Sequence, residues 1–277
     1  MRSSDGIVSA DWLRGHAGDP DVRILDIRWY IDGASGLDRY REKHIPGAVY
    51  VDHDTEATAA GSGGGRHPLP EPDTFERAMR RAGVDRRTAV VAYDDQGGFV
   101  AARLWWTLRY FGHQRVAILD GGIPGWGGPW ESGEVRVPEG DFAAGAPRAD
   151  RVVDYGQVRR LEPGTVLLDA RPPERYRGDE EPVDPKAGHI PGALNVPWER
   201  NVDGAGRFRP GPELRAMYAG LGIGERTEVV AYCGSGARAC HVILALEAAG
   251  YPGARLYPGS WSDWCAHPDA PVEVGQR

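Results

Sequence analysis

Short, unbroken apolar runs alternate along this chain with stretches in which apolar residues return every three or four positions. Val90-Val91-Ala92-Tyr93 and Val229-Val230-Ala231-Tyr232 are the clearest runs. Both begin on β-branched residues and carry no charge, which predicts central parallel strands covered on both faces. An amphipathic stretch precedes each of them. Residues 75–83 place Phe75, Ala78, Met79 and Ala82 on one helical face, and residues 213–222 do the same with Leu214, Met217, Tyr218 and Leu221. Strands and helices alternating in this way predict an α/β fold in which helices flank each sheet.

The pattern is written twice. The first half reads Ile24-Leu25-Asp26-Ile27-Arg28, His44-Ile45-Pro46-Gly47-Ala48, the run closing on Tyr93-Asp94, and Asp120-Gly121-Gly122 with Trp126. The second reads Leu167-Leu168-Asp169-Ala170-Arg171, His189-Ile190-Pro191-Gly192-Ala193, the run closing on Tyr232-Cys233, and Pro258-Gly259-Ser260 with Trp264. The later signposts keep their spacing to within one residue, so two homologous domains are expected, over 1–128 and 148–277. Residues 129–147, rich in Pro, Gly, Glu and Ala without apolar periodicity, read as an interdomain linker.

A chain of 277 residues with 41% apolar and 26% charged residues has the composition of a soluble globular protein, and no apolar run is long enough to span a bilayer. Its formal charge of -7 argues against a nucleic-acid or anionic-membrane surface, so an anionic ligand must be met by a local cluster of cations. Residues 1–6 lack the apolar core of a secretory signal, and a cytoplasmic address is expected. The three cysteines, Cys233, Cys240 and Cys265, form no CxxC pair, and their odd number closes no disulfide framework; reduced thiols are expected. With no zinc-ligand spacing, no P-loop and no GxGxxG after a strand, neither a metal nor an organic cofactor is expected. The run Gly61-Ser62-Gly63-Gly64-Gly65 follows Ala59-Ala60 rather than a strand and reads as a flexible loop.

The second apolar run leads through Cys233-Gly234-Ser235-Gly236-Ala237-Arg238-Ala239-Cys240-His241 into a helical pattern. A cysteine so placed lies beside successive backbone N–H groups and the positive end of a helix dipole, both of which favour an anionic sulfur. Gly234 and Gly236 let the backbone curl around it. By itself, a free cysteine is more often a small buried apolar residue. The loop stands, however, with two His-Ile-Pro-Gly-Ala motifs, Leu104-Trp105-Trp106, Phe111-Gly112-His113, Asp120-Gly121-Gly122 and Ser260-Trp261. Together these resemble the tandem-domain rhodanese family of sulfurtransferases over nearly the whole chain.

The resemblance implies two rhodanese-like domains, each a central parallel sheet flanked by helices. It also implies an enzyme that moves a sulfane sulfur from a small anionic donor, thiosulfate or 3-mercaptopyruvate, through a Cys233 persulfide to cyanide or a thiol such as thioredoxin. Asp94 stands where the first domain would need its cysteine, so that domain is expected to be catalytically silent. Gly234, Ser235, Gly236, Ala237 and Arg238 would cradle the persulfide. Arg175 would hold the donor through its planar guanidinium, helped by Arg238. Ser235, His67 and Asp54 would form a proton relay like that of mercaptopyruvate enzymes. The bland alternatives are an Arg175 paired with Glu174 or Asp179, a loop-capping His67 and a helix-capping Asp54. Arg177 is expected as a solvated arginine paired with Glu174 or Asp179, His44 and His189 as structural hydrogen-bonders, and Cys240 and Cys265 as packing residues, with a redox partner as the alternative for one of them.

Departures from the family pattern divide the two donors. Mercaptopyruvate enzymes carry a second arginine nine residues after Arg175, where this chain has Asp184; either the nearby Lys186 compensates or the donor needs no second cation. Arg238 adds a cation at the loop exit that suits an inorganic anion, or is a first-turn residue facing solvent. Ser235 and the relay point to 3-mercaptopyruvate; Asp184 and Arg238 point to thiosulfate. Dual-specificity phosphatases share the fold but need five residues between cysteine and arginine, whereas four separate Cys233 from Arg238. A non-catalytic rhodanese-like interaction module would have no use for the cysteine.

Overall fold

The two apolar runs each stand between two parallel neighbours, one in each of two sheets, with every residue buried. The structure is a computed structural model that describes residues 6–59 and 61–276; residues 1–5, read above for a secretory signal, and Ala60 lie outside the described residues. No helix among the described residues is long and apolar enough to cross a membrane.

The N-terminal unit comprises the residues up to 59, with 69–148 and 204–208. In chain order it contains β1 (Ile7–Val8), α1 (Ala10–His16), β2 (Val22–Asp26), α2 (Gly36–Glu42), β3 (Val49–Tyr50), α3 (Pro72–Arg81), β4 (Ala89–Tyr93), α4 (Phe99–Tyr110), β5 (Val116–Leu119) and α5 (Gly122–Trp126). The sheet order is β1-β5-β4-β2-β3, and every pair is parallel. Parallel neighbours need crossovers, which the helices supply. Ser9 and Ser35 start α1 and α2 by accepting from the N–H groups of Trp12 and Asp38. Phe75, Ala78 and Met79 of α3 are buried, as the amphipathic pattern predicts. In α4 every residue from Phe99 to Leu108 is buried, which takes Leu104, Trp105 and Trp106 into the core.

The second unit comprises 60–68, 149–203 and the residues from 209 onward. It contains α6 (Tyr155–Val158), β6 (Val166–Asp169), α7 (Pro173–Arg177), β7 (Leu194–Asn195), α8 (Gly211–Ala219), β8 (Val229–Tyr232), α9 (Ala237–Ala248), β9 (Arg255–Leu256) and α10 (Ser260–Trp264). Its sheet runs β7-β6-β8-β9, again parallel throughout.

The repeated signposts make the same contacts in each unit. Arg28 reaches back to Asp26 at 2.8 Å and to the Lys43 carbonyl; Arg171 reaches Asp169 at 2.7 Å and the Gly188 carbonyl. His44 and His189 place Nδ1 against the carbonyls of Tyr40 and Tyr176 and stack on those rings. Both histidines therefore pin a turn. The segment 129–147, expected as a linker, is held along the N-terminal unit: Phe142 is buried, its N–H donates to Val84 O, and Gly145 N–H donates to Phe111 O.

Candidate functional site

β8 ends at Tyr232, and Cys233 follows at the carboxyl end of a central parallel strand, the edge where open α/β sheets bind ligands. Its Sγ is buried and accepts the Gly236 N–H at 3.1 Å. Gly236, at φ 93, is the N-cap of the twelve-residue α9, so the sulfur lies at the positive end of that helix. Ser260 fixes the other side. Its hydroxyl accepts the Cys233 N–H at 3.1 Å and donates to Tyr257 O, while Trp261 N–H and Ser262 N–H donate to Cys233 O and Gly234 O. Ser260 is the one non-glycine residue with positive φ among the described residues, a conformation that costs about 1 kcal/mol and is offset here by these bonds.

The glycine-rich run read as a flexible loop belongs to this second unit. Gly65, at φ +98, lies so close to Gly259 that an added Cβ would come within 2.5 Å of its carbonyl oxygen. The Arg66 N–H donates to Ser262 Oγ at 2.9 Å. These contacts set His67 beside the cysteine loop, with Nδ1 at 2.9 Å from Ser235 Oγ. Two of the three expected relay residues are thus in hydrogen-bond contact. Asp54 is described in the N-terminal unit, where its carboxylate accepts from Trp29 Nε1 and stands at 3.0 Å from His53 Nδ1. Burial pushes the His53 imidazole below its ordinary range, against the pull of Asp54. Asp54 lies in a turn rather than at a helix N-terminus, and within that turn Asp52 accepts the Thr55 N–H.

Arg175 is paired, but with neither Glu174 nor Asp179. It donates to Glu181 at 2.5 Å and to Asp184 at 2.9 Å. Asp184 is buried and bridges to a second cation, Arg66, at 2.5 Å. Lys186 Nζ donates to His267 O at 2.9 Å. Arg66 was missed in the sequence; the only signal was its place beside His67. Arg177 pairs with Asp179 at 2.6 Å, one of the two partners expected for it. Arg238 lies half-buried in the first turn of α9, where its charge opposes the upward push of burial on the Glu199 carboxyl. Cys240 and Cys265 are buried and form no disulfide among the described residues, and burial raises the Cys265 thiol.

The Rhodanese-like domain profile matches residues 9–128 and 157–267. The chain belongs to the rhodanese-like family. A Pseudomonas aeruginosa protein named "Probable 3-mercaptopyruvate sulfurtransferase" is 41% identical over 99% of both chains. The Arabidopsis thaliana "Thiosulfate/3-mercaptopyruvate sulfurtransferase 1, mitochondrial" is 31% identical over 99% of this chain and 79% of its own. The crystal structure of SseA from Escherichia coli, a 3-mercaptopyruvate sulfotransferase, superposes with a TM-score of 0.82 at 38% identity, covering 93% of this chain and 99% of that one.

In the N-terminal rhodanese-like domain the cradle is filled from within. The fully buried Asp94 carboxylate accepts four backbone N–H groups, those of Gln96, Gly98 and Val100 at 2.8 Å and of Ala101 at 2.9 Å. Burial pushes this carboxyl above the ordinary range, and the N–H groups pull it back. Asp94→Ala would strand those donors in a dry site, so a loss of about 3 kcal/mol is expected in denaturant unfolding, with a smaller loss for Asp94→Asn.

Proposed function

We propose that Cys233 carries sulfur as a persulfide from a small anionic donor to cyanide or a thiol. The chain is a sulfurtransferase. The observation that carries the persulfide reading is the Cys233 sulfur itself, buried, accepting a backbone N–H and facing the N-terminus of α9. The thiolate attacks the outer sulfur of the donor and forms an S–S bond. From thiosulfate, sulfite leaves with the electron pair of the broken S–S bond. From 3-mercaptopyruvate, the C–S bond breaks and pyruvate leaves as an enolate that takes up a proton. Ser235, His67 and Asp54 are proposed as the relay that delivers it, supported by the contact between Ser235 and His67. Cyanide or a thiolate, with thioredoxin as a fitting protein acceptor, then removes the outer sulfur and restores Cys233. A cytoplasmic setting fits a chemistry that needs a reduced cysteine.

The relatives carry the names of both donors, and both are proposed substrates. Steady-state assays with each donor and cyanide are expected to yield thiocyanate. Its absence with both, in the folded protein, would overturn the proposal.

A further inference from the structure

Gly234, the residue after the nucleophile, is faced by two guanidinium groups. A Cβ built on it would stand 3.0 Å from Arg66 Nη2, 3.6 Å from Arg175 Nη1 and 3.9 Å from Arg175 Nη2. Asp184 ties the pair together, one oxygen to Arg66 Nη1 and the other to Arg175 Nη2, with its side chain 3% exposed. Glu181 takes Nε and Nη2 of Arg175. The nitrogens nearest Gly234, Arg66 Nη2 and Arg175 Nη1, are those for which the described residues supply no partner. Arg66 Nε is buried and has none either.

Glu181 and Asp184 together engage only Nε and Nη2 of Arg175 and Nη1 of Arg66, so of the five N–H donors on each arginine the pair keeps those of Arg66 Nη2 and Arg175 Nη1 beside the cysteine loop. An oxyanion is the ligand that such a spot fits, and a bound donor must place oxygens next to its transferable sulfur. We infer that Arg66 is the second donor-binding cation of this enzyme, holding the donor's oxyanion with Arg175, while Asp184 acts as the counter-charge that sets the two guanidinium groups in position. This rests on the sulfurtransferase reading for the identity of the anion. It does not rest on it for the existence of the site.

The test uses two reagents that alkylate Cys233 alike but differ in charge, iodoacetate and iodoacetamide, on the full chain. Losing one charge-assisted contact corresponds to about a tenfold effect. Arg66→Ala is therefore expected to lower the iodoacetate rate about tenfold relative to iodoacetamide, and Arg66→Lys, which keeps the charge, to restore most of that ratio. A merely structural role for Arg66 would change both rates together. With turnover, KM for each donor should rise about tenfold in Arg66→Ala, with kcat less affected. An unchanged ratio in the folded variant would overturn the inference. Absence of wild-type turnover would instead overturn the function proposed above and leave the ratio to stand by itself.

Discussion

Cys233→Ser is expected to abolish thiocyanate formation from either donor while leaving the fold intact. Serine matches cysteine in shape, and the buried site offers its oxygen the same Gly236 N–H that the sulfur now accepts. What changes is the chemistry. The hydroxyl is a poor nucleophile toward sulfur and cannot store a sulfur atom as a persulfide. Mass spectrometry after incubation with donor alone checks the intermediate, since the wild-type chain should gain one sulfur atom on the peptide carrying Cys233 and the variant none. Turnover persisting in Cys233→Ser, with circular dichroism unchanged, would remove the persulfide from the mechanism.

His67→Ala should separate the two donors. The pyruvate enolate needs a proton as the C–S bond breaks, and a positioned acid or base is worth roughly 10²–10⁴-fold. Sulfite is a stable anion and needs none. Turnover with 3-mercaptopyruvate should therefore fall by about that factor, while turnover with thiosulfate changes much less. The motivating geometry is the 2.9 Å contact of His67 Nδ1 with Ser235 Oγ. The measurement is kcat and KM for both donors on one preparation, with folding checked by circular dichroism. Equal losses with the two donors would make His67 a packing residue of the loop that carries Arg66.

The pairing of Arg66 with Arg175 also accounts for Asp184, which looked like a missing arginine in the sequence. Its carboxylate joins the two guanidinium groups rather than opposing the donor's charge unaided. The proposed anion site thus keeps two cations, one of which comes from a different part of the chain.

Several features were legible because they are local. The runs at Val90 and Val229, the amphipathic stretches before them and the doubled His-Ile-Pro-Gly-Ala turns follow from side-chain periodicity within a few residues. So does the setting of Cys233, because the strand end, the glycines and the first turn of α9 are consecutive in sequence. Other features were not legible. Asp94 reads only as a residue unable to carry sulfur; that its carboxylate gathers four N–H groups depends on how its loop closes. The positive φ of Ser260 is hidden as well, since its support comes from Cys233 and Tyr257.

The sequence by itself determined the α/β class, the duplication and the strand-end setting of Cys233, because short-range periodicity and turn chemistry encode them. The tertiary structure decided which charges stand beside the cysteine loop. Residues 61–68 lie in the first half of the chain yet pack in the second unit, held through Gly65 and the backbone of Arg66. No local pattern records a contact between residues 118 positions apart, such as Arg66 with Asp184. Such a contact exists only once the long chain between the two residues has folded and closed that loop.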